Sequence, residues 1–576
     1  MGIEWSVSSV VGLVLTVLLL GVSILKLKAR LALSRAKHRS LGGHSRLSRR
    51  IAALVPNYSF DDARFFSADD ASTEVAGRRR AEFERLSRLF RTRYKRTLEQ
   101  TAEAARHISD LQFTESYRVP FQFSRLAKAS FPMGSFLASS EGVKVTDLDG
   151  NTSYDLAGSY GVNLLGYDFY KACLERGAAR VGALGPVLGS YPSLVADNVA
   201  RLARISGKDE VSFHMSGTEA VMQAVRLARY HTRRSHLVRL CGAYHGWWGD
   251  VQPGVGNPLP ANETYTLADM SEATLEVLRT RTDIACVLVN PSQALYPNHG
   301  APADSTLVGS RPDAGVGRAA YAQWLKQLRA VCSARGIVLI FDEIFVGFRL
   351  ALGGAQEYFG VDADLVTYGK TVGGGLPIGV VCGHHRYMKR YRDDRPADVC
   401  FARGTFNSHP YVMAAMNEFL RHLDTPEMQV LYRDLDTTWD RRTASLNRRL
   451  AERGLPVQIT HLSSIWTVCY TRSSRYNWML QYYLRAEGLA LSWIGTGRLI
   501  FSLNYTEADF EAVAERFIAA AEAMQRGAWW EVGALGTDRA IKRRILREML
   551  AHYIASWKAG SRKPDGVVGR PLDARL

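Results

Sequence analysis

The stretch DADLVTYGKTVGGGLPIG, residues 362–379, places a lysine between a short apolar run and three consecutive glycines. The run from Leu365 to Gly369 has the length and composition of a buried strand, and Lys370 follows it directly. The letters GKT also end a phosphate-binding P-loop, but that motif needs a glycine where Asp364 stands. The sequence therefore argues against a P-loop and leaves Lys370 as a candidate nucleophile that forms a Schiff base with an aldehyde.

An acidic pair lies just upstream of this lysine. The segment GIVLIFDEIFVGFR, residues 336–349, is a strongly apolar strand that ends in Asp342 and Glu343. Ligands of α/β proteins bind at the carboxyl edge of a parallel sheet, where both Asp342 and Lys370 are expected. An aspartate at that edge can keep the ring nitrogen of pyridoxal phosphate protonated, which makes the cofactor an electron sink.

Two further segments carry weaker signals. In VSFHMSGTEAVMQAVRLARYH, residues 211–231, a strand runs into Ser216, Gly217 and Thr218 at the start of a predicted helix. A helix N-terminus binds phosphate well, although ordinary helix capping also accounts for these residues. Tyr244 and His245 follow another strand, and the tyrosine could stack on a planar ring or be a half-buried core aromatic.

The order of these motifs resembles the class III pyridoxal-phosphate-dependent aminotransferases over roughly residues 88–525. The family includes glutamate-1-semialdehyde aminomutase and the aminotransferase modules of polyketide and lipopeptide synthases, and the modules look most similar. The motifs that carry the resemblance are SGTEAVMQAVRLAR, AYHG, LIFDEIFVGFRLALGGAQEYFGVDADLVTYGKTVGGGLPIG and GTFNSHP. The resemblance implies the α/β architecture of fold type I, with a large, mainly parallel-sheet domain and a smaller α+β domain.

The resemblance also implies a cofactor, pyridoxal 5′-phosphate, and a role for each motif residue. Lys370 becomes the covalent lysine and proton-shuttling base, and Asp342 the partner of the pyridine nitrogen. No metal ligand is expected. The remaining implied cofactor-binding residues are Ser216, Gly217, Thr218, Tyr244, His245, Ile344 and Thr405, of which Thr405 reaches the phosphate of the neighbouring subunit in a homodimer with shared active sites.

The N-terminus predicts a membrane anchor. From Val7 to Leu25 the chain carries no charge and is rich in Val and Leu, and roughly 19 helical residues match the hydrocarbon thickness of a bilayer. Glu4 and Trp5 precede the run and cations follow it, which favours an uncleaved single span with a cytoplasmic catalytic domain. A signal peptide or a buried core helix remains the alternative, and MGIEWS matches a short N-myristoylation pattern.

Composition narrows the class of protein. The 576 residues are 47% hydrophobic, which is typical of a globular chain with a large core, and the formal net charge is +17. Nine cations between Lys26 and Arg50 have no acidic residue among them, and contact with anionic headgroups explains them better than nucleic-acid binding. Seven scattered cysteines give no zinc or disulfide pattern and suit a reducing compartment.

Periodicity predicts the remaining organisation. Strands from Val143 to Leu148 and from Thr152 to Leu156 form a hairpin, and amphipathic helices cover residues 78–111 and the basic tail after residue 538. The tail helix lies either on a membrane surface or against the protein itself. The predicted divisions are an anchor and basic flank (1–30), a basic linker and amphipathic helix (31–113), an N-terminal aminotransferase segment (114–200), a large cofactor-binding domain (201–405), a small domain (406–525) and the tail (526–576).

The expected function is amino transfer at a membrane. An amino donor supplies the group and a ketone or aldehyde accepts it. The anchor favours a lipid-like acceptor, or an acyl chain on a separate carrier, because the sequence contains no carrier-protein motif. A glutamate-1-semialdehyde 2,1-aminomutase is the alternative enzyme, and a catalytically silent membrane-tethered scaffold is the non-enzymatic alternative, which the intact Lys370 and Asp342 argue against.

Overall fold

The computed structural model describes residues 7–37, 58–111, 119–251, 263–291, 317–492, 498–531 and 537–558, with isolated residues 47, 50, 51 and 53. In these ranges the helices are α1 (Val7–Arg35), α2 (Asp62–Phe66), α3 (Thr73–Arg93), α4 (Lys95–Ala105), α5 (Phe121–Ser130), α6 (Tyr167–Val181), α7 (Val195–Ser206), α8 (Gly217–Thr232), α9 (Glu272–Thr280), α10 (Arg318–Arg335), α11 (Gly354–Phe359), α12 (His385–Met388), α13 (Pro410–His422), α14 (Pro426–Glu452), α15 (Leu480–Ala486), α16 (Glu507–Arg526) and α17 (Asp538–Lys558).

The strands and short 3₁₀ turns complete the described elements. The strands are β1 (Leu137–Glu141), β2 (Lys144–Asp147), β3 (Thr152–Asp155), β4 (Glu210–His214), β5 (His236–Leu240), β6 (Thr264–Leu267), β7 (Ile284–Val289), β8 (Val338–Asp342), β9 (Leu365–Gly369), β10 (Gly379–Gly383), β11 (Tyr391–Arg392), β12 (Arg395–Val399), β13 (Val457–Leu462), β14 (Ile465–Tyr470), β15 (Leu489–Ala490) and β16 (Arg498–Ile500). The 3₁₀ turns are Gly158–Gly161, Lys370–Gly373 and Asn477–Met479.

The central sheet has seven strands in the order β4-β10-β9-β8-β7-β5-β6. Strands β5 to β9 pair in parallel, whereas β10 is antiparallel to both of its neighbours, β4 and β9. The mainly parallel sheet is therefore confirmed, with β10 as the exception to the predicted βαβ rhythm. The connection from Gly369 to Gly379 is too short for a parallel crossover, so the chain turns back on itself.

Alternate residues of the central strands point to opposite faces of the sheet. Val338 and Ile340 of β8 pack in one cluster with Ala220 and Ala224 of α8. Leu339 and Phe341 of the same strand belong to the second, larger core, which also contains residues of α10. Both faces of the sheet are thus covered by helices, and this explains why its central strands are apolar without interruption.

Besides the two-stranded pair of β11 and β12, two smaller sheets accompany the central one. The predicted hairpin is present as β2 and β3, extended by β1 and by β15, which pairs in parallel with β3. Strands β13, β14 and β16 form the second small sheet, followed by α16. A capping box between Thr506 and Asp509 begins that helix.

The helix predicted over residues 78–111 is two helices in the structure. Helix α3 ends at Arg93 and α4 begins at Lys95, with Tyr94 outside helical geometry between them. The cause is Asp149 in the hairpin turn, whose carboxylate accepts hydrogen bonds from the backbone nitrogens of Arg96 and Thr97, both at 2.8 Å. This carboxylate caps α4 from a distant part of the chain, so local periodicity carried no sign of the break.

Helix α1 continues beyond its apolar part and ends against the large domain. The portion from Val11 to Arg35 is long and apolar enough to cross a membrane, a property that it shares with signal sequences. Ala36 is fully buried, and its carbonyl accepts a 2.8 Å hydrogen bond from the backbone nitrogen of Ala268. Within the predicted basic linker, residues 38–57 lie outside the described residues except for positions 47, 50, 51 and 53.

The basic tail forms α17 and is joined to the body by a buried ion network. Arg475 is fully buried, and its guanidinium contacts Glu548 of α17 at 2.7 Å and Asp69 at 2.8 Å. Tyr58 donates a hydrogen bond to Glu548, and Arg544 pairs with Asp70. One side of α17 is therefore fixed to the segment that follows the anchor, because a buried arginine needs its carboxylate partners.

Candidate active site

The predicted site residues leave the central sheet at a single edge. Strands β5, β8 and β9 run parallel, and β4 shares their direction because β4 and β9 are each antiparallel to β10. The carboxyl ends of these four strands therefore lie along the same edge. The segments that follow them contain the serine-glycine-threonine turn, the tyrosine-histidine pair, Asp342 and Lys370.

Asp342 is buried at the end of β8 and accepts several hydrogen bonds. Its Oδ2 lies 2.7 Å from Nδ1 of His245, and its Oδ1 accepts from the backbone nitrogen of Ile344 at 3.2 Å and from Oγ1 of Thr367 at 3.3 Å. Burial lowers the pKa of His245, although Asp342 opposes that shift. A neutral His245 donates its Nδ1 proton to the carboxylate, so the orientation of Asp342 is fixed from three sides.

Lys370 is the first residue after β9, and its backbone has a conformation that residues other than glycine rarely adopt. Its φ is 48°, in the left-handed region, which costs roughly 1 kcal/mol or more. Its Nζ donates a 2.7 Å hydrogen bond to the carbonyl of Tyr160 and lies 5.3 Å from the centre of the Phe345 ring. Burial lowers the pKa of Lys370 to about 8; Asp342 opposes this shift, while Arg349 and Arg498 add to it.

The N-terminus of α8 packs closely against the other two segments. Ser216 caps the helix by accepting a hydrogen bond from the backbone nitrogen of Glu219. A Cβ on Gly217 would lie 2.8 Å from the side chain of Ile344, and a Cβ on Gly246 would lie 2.6 Å from Oγ1 of Thr218. Because both positions are glycine, the N-terminus of α8 can pack closely against the segment that follows Asp342 and the segment that contains His245.

Tyr244 and Thr405 differ from the other predicted residues in their surroundings. Tyr244 precedes the buried His245 but leaves 66% of its surface exposed, so it is a side chain at the edge of the site and not a core aromatic. Thr405 is exposed in the turn before α13. Within the described part of the chain, no hydrogen bond joins Thr405 to the other predicted site residues.

Three neighbours of the site were not predicted. Thr367 stands opposite Asp342 in the register of β8 and β9, so the parallel pairing of two predicted strands would have indicated it. Phe345 carries the Lys370 amine on its ring face, and the guanidinium carbon of Arg498 lies 5.9 Å from the same ring centre. Arg498 comes from β16, far along the chain, and no local pattern marks it.

Comparison with known proteins agrees with this geometry. The family model for class III aminotransferases matches residues 126–251 and 311–520, more than half of the chain. The chain belongs to the class III aminotransferases. It is an aminotransferase that depends on pyridoxal 5′-phosphate, as the predicted motifs implied.

The relatives and structural neighbours of this aminotransferase match it over most of their own length. A glutamate-1-semialdehyde 2,1-aminomutase of Methanosarcina acetivorans is 31% identical over 61% of this chain and 81% of its own length. One from Geotalea daltonii is 30% identical over 67% of this chain and 90% of its own. A solved transaminase with PLP bound is 26% identical over 69% of this chain and 92% of its own, with a TM-score of 0.58. A glutamate-1-semialdehyde-aminomutase of Pseudomonas aeruginosa covers 78% of this chain and 99% of its own at a TM-score of 0.62; its 19% identity shows the fold alone.

The chemistry of the site residues fits the cofactor. A lysine amine with a lowered pKa, a buried carboxylate oriented by a neutral histidine, and a helix N-terminus with free backbone N–H groups suit an aldehyde, a ring nitrogen and a phosphate respectively. Among the described residues, no cluster of three or more His, Cys, Asp and Glu side chains is arranged to hold a metal ion.

The lowered pKa of Lys370 leads to a first prediction. An amine reacts only when neutral, and the neutral fraction of Lys370 should rise with pH through a midpoint near 8 instead of 10.5. Competitive acetylation of the cofactor-free protein across a pH series, read by mass spectrometry of the Lys370 peptide, measures this midpoint. An exposed lysine such as Lys171 serves as the internal reference.

Arg498→Gln is the matched variant for this measurement. Removing a positive charge near the amine favours its protonated form, so the midpoint should move to higher pH. A wild-type midpoint at or above 10.5, the ordinary value of a lysine, would contradict the buried, activated lysine described here.

Proposed function

We propose that this aminotransferase is anchored in a membrane and moves an amino group from a carboxylate-bearing donor to a lipid-like or carrier-bound ketone or aldehyde. The observation that carries the amino-transfer part is the meeting of Lys370 and Asp342 at one sheet edge, with the lysine amine tuned to a pKa of about 8. A base with a pKa near the working pH both accepts and releases protons readily.

Each residue contributes one operation to the proposed reaction. Bound pyridoxal phosphate supplies the electron sink that stabilises the substrate carbanion. Lys370 would hold the cofactor covalently, and its amine would move the proton at the substrate carbon. Asp342, oriented by His245 and Thr367, would keep the ring nitrogen protonated.

The other predicted residues hold the cofactor in this proposal. Ser216, Gly217 and Thr218 would bind the phosphate at the N-terminus of α8, and Ile344 and Tyr244 would contact the ring. Ile344 suits this role because it is wedged between Gly217 and Gly369, within contact distance of both.

Thr405 completes the site of a second copy in the proposed homodimer. Its turn is bordered by Phe401, 71% exposed, and Phe406, 50% exposed. Trp247, beside the tyrosine-histidine pair, is 73% exposed. Apolar side chains of this size are costly to leave in water, so these surfaces suit burial against a partner.

Arg498 is the proposed site for the carboxylate of the amino donor. It shares the Phe345 ring with Lys370, and its charge lowers the pKa of the lysine. A guanidinium at this distance can bind a donor carboxylate in two hydrogen bonds while the donor amine meets the cofactor.

The membrane part of the proposal depends on helix α1. Its apolar portion is exposed throughout, and the helix continues without a break until Ala36, which is buried in the large domain. The twelve residues from Leu25 to Ala36 are separated by eleven helical rises, roughly 16 Å in all. A bilayer around the apolar portion would therefore lie close to the catalytic domain, and the domain would be on the cytoplasmic side of that bilayer. This position would favour acceptors that partition into lipid.

Glutamate-1-semialdehyde 2,1-aminomutase is the second candidate function. Relatives at 30–31% identity bear this name. An aminomutase returns both the nitrogen and the carbon skeleton of its substrate to one product, and it needs no separate donor.

Nitrogen tracing distinguishes the two functions. With ¹⁵N-labelled glutamate and a ketone acceptor, the proposed transferase gives an aminated product that carries the label. An aminomutase converts the semialdehyde with no donor present and leaves the product unlabelled, and that result would overturn the proposed amino transfer between two molecules. Mass spectrometry of the products reads both outcomes.

Arg498→Gln checks the donor within the same assay. Loss of a charge-assisted pair should raise the KM for a carboxylate donor about tenfold or more relative to the KM for an amine donor without a carboxylate, because the effect of the variant on the Lys370 pKa is common to both donors. Equal losses for both donors would mean that Arg498 does not bind the carboxylate.

The anchor proposal is tested with acceptors of different chain length. Deleting residues 1–25 keeps the docked end of α1 and all of the buried segment from Tyr58 onward. In vesicles, the full-length protein should aminate a long-chain acceptor several-fold faster than the deletion variant, because both partners share the membrane. With a water-soluble short-chain acceptor the two proteins should be equal, and the proposal fails if they are also equal with the long chain.

A further inference from the structure

The C-terminal helix α17 has two opposite sides with different surroundings. One side contacts the body of the protein: Ile541 is buried, and Glu548 pairs with the buried Arg475. His552, one turn further along, lies 5.1 Å from the ring of Tyr58. The apolar residues predicted from periodicity therefore fall into two groups, because only some of them pack on the protein.

The remaining apolar residues of α17 form a stripe on the opposite side, which we call the outer stripe. Four of them follow one another at spacings of four, three and four residues, and Ile554 lies four residues after Leu550, so all five are on one side of a helix with 3.6 residues per turn. They cover the last three turns of the described chain. The members and their exposed fractions are Leu546 65%, Leu550 58%, Tyr553 39%, Ile554 43% and Trp557 76%.

Cations border the outer stripe. Arg543, Arg547 and Lys558 flank it on one side and Lys542 on the other, and all four are exposed. None of them forms an ion pair with another described residue. The only acidic residue from 539 to 558 is Glu548, whose charge is directed inward to Arg475. The outward surface is thus apolar at its centre and purely positive at its border.

We propose that the outer stripe lies in the interface of the membrane that holds α1, with its cations on anionic lipid headgroups. An exposed stripe of leucine, isoleucine, tyrosine and tryptophan with a basic border is the surface of an interfacial helix. Tryptophan and tyrosine prefer the headgroup level, and each nearby cation adds affinity for an anionic leaflet.

The position of α17 in the fold supports a lipid occupant over a protein one. The helix is clamped to residues 58–70, which belong to the predicted linker between the anchor and the catalytic domain. Tethering by α1 raises the effective concentration of the outer stripe at the bilayer, so even weak interfacial binding becomes populated. This inference depends on the proposed anchoring, since the bilayer must be nearby.

The test uses the full-length protein reconstituted into phosphatidylcholine vesicles with and without phosphatidylglycerol. All seven native cysteines are buried, so a single introduced cysteine can be labelled with an environment-sensitive fluorophore. Leu550→Cys and Trp557→Cys report on the outer stripe. Ala555→Cys, exposed on another side of the same helix, is the matched control. Gly21→Cys, where nothing lies within 4 Å, reports on the anchor.

Quenching by nitroxide-labelled lipids gives the readout. The labels at 550 and 557 should be quenched by headgroup-level nitroxides several-fold more than the label at 555. Arg543→Gln and Arg547→Gln together should remove the part of this quenching that phosphatidylglycerol adds. The label at 21 should respond to nitroxides deep in the acyl chains.

Each of the other outcomes contradicts one part of the proposal. Equal quenching at 550, 555 and 557 would contradict the interfacial position of the outer stripe. Protection of 550 and 557 without lipid quenching means that a second copy or another segment of this chain covers the stripe, and the lipid inference fails. A label at 21 that is not quenched overturns the anchor, whereas a quenched label at 21 with silent tail labels overturns only the role of α17.

Discussion

The buried carboxylate of Asp342 is the constraint on which the rest of the site depends. An ionised group in the interior is costly unless fixed dipoles and charges compensate it. His245, Thr367 and the backbone of Ile344 do so on three sides; they come from the segment after β5, from within β9 and from the turn after β8. The same carboxylate also stabilises the charged form of Lys370, so burial lowers the lysine pKa only to about 8. One residue therefore orients the histidine and tunes the base.

The sheet topology brings together groups that are far apart in the sequence. The order β4-β10-β9-β8 puts the carboxyl ends of β4, β8 and β9 on one edge, and the reversal of β10 moves its own carboxyl end away. Close packing then completes the assembly, since Gly217 and Gly246 are the positions where any side chain would push Ile344 or Thr218 aside. The site is a product of strand direction and of missing Cβ atoms.

Much of this could be predicted from the sequence because the chemistry follows strands directly. Lys370 and Asp342 each end an uninterrupted apolar run, so their motifs fixed both the fold class and the edge. What could not be predicted depends on contacts between distant segments. Arg498 reaches the lysine from β16, Asp149 ends α3 from a hairpin turn, and Arg475 draws only one side of α17 inward. Helical periodicity marks apolar residues but not which of them face protein.

The central claim is that Lys370 carries the cofactor beside Asp342. Borohydride reduces the imine between a lysine and a bound aldehyde cofactor to a stable amine. Peptide mapping of the reduced protein by mass spectrometry then locates the phosphopyridoxyl group. We expect one modified peptide, containing Lys370, and no modified peptide in Lys370→Ala. A group attached to any other lysine, or none in protein supplied with pyridoxal phosphate, would contradict this account.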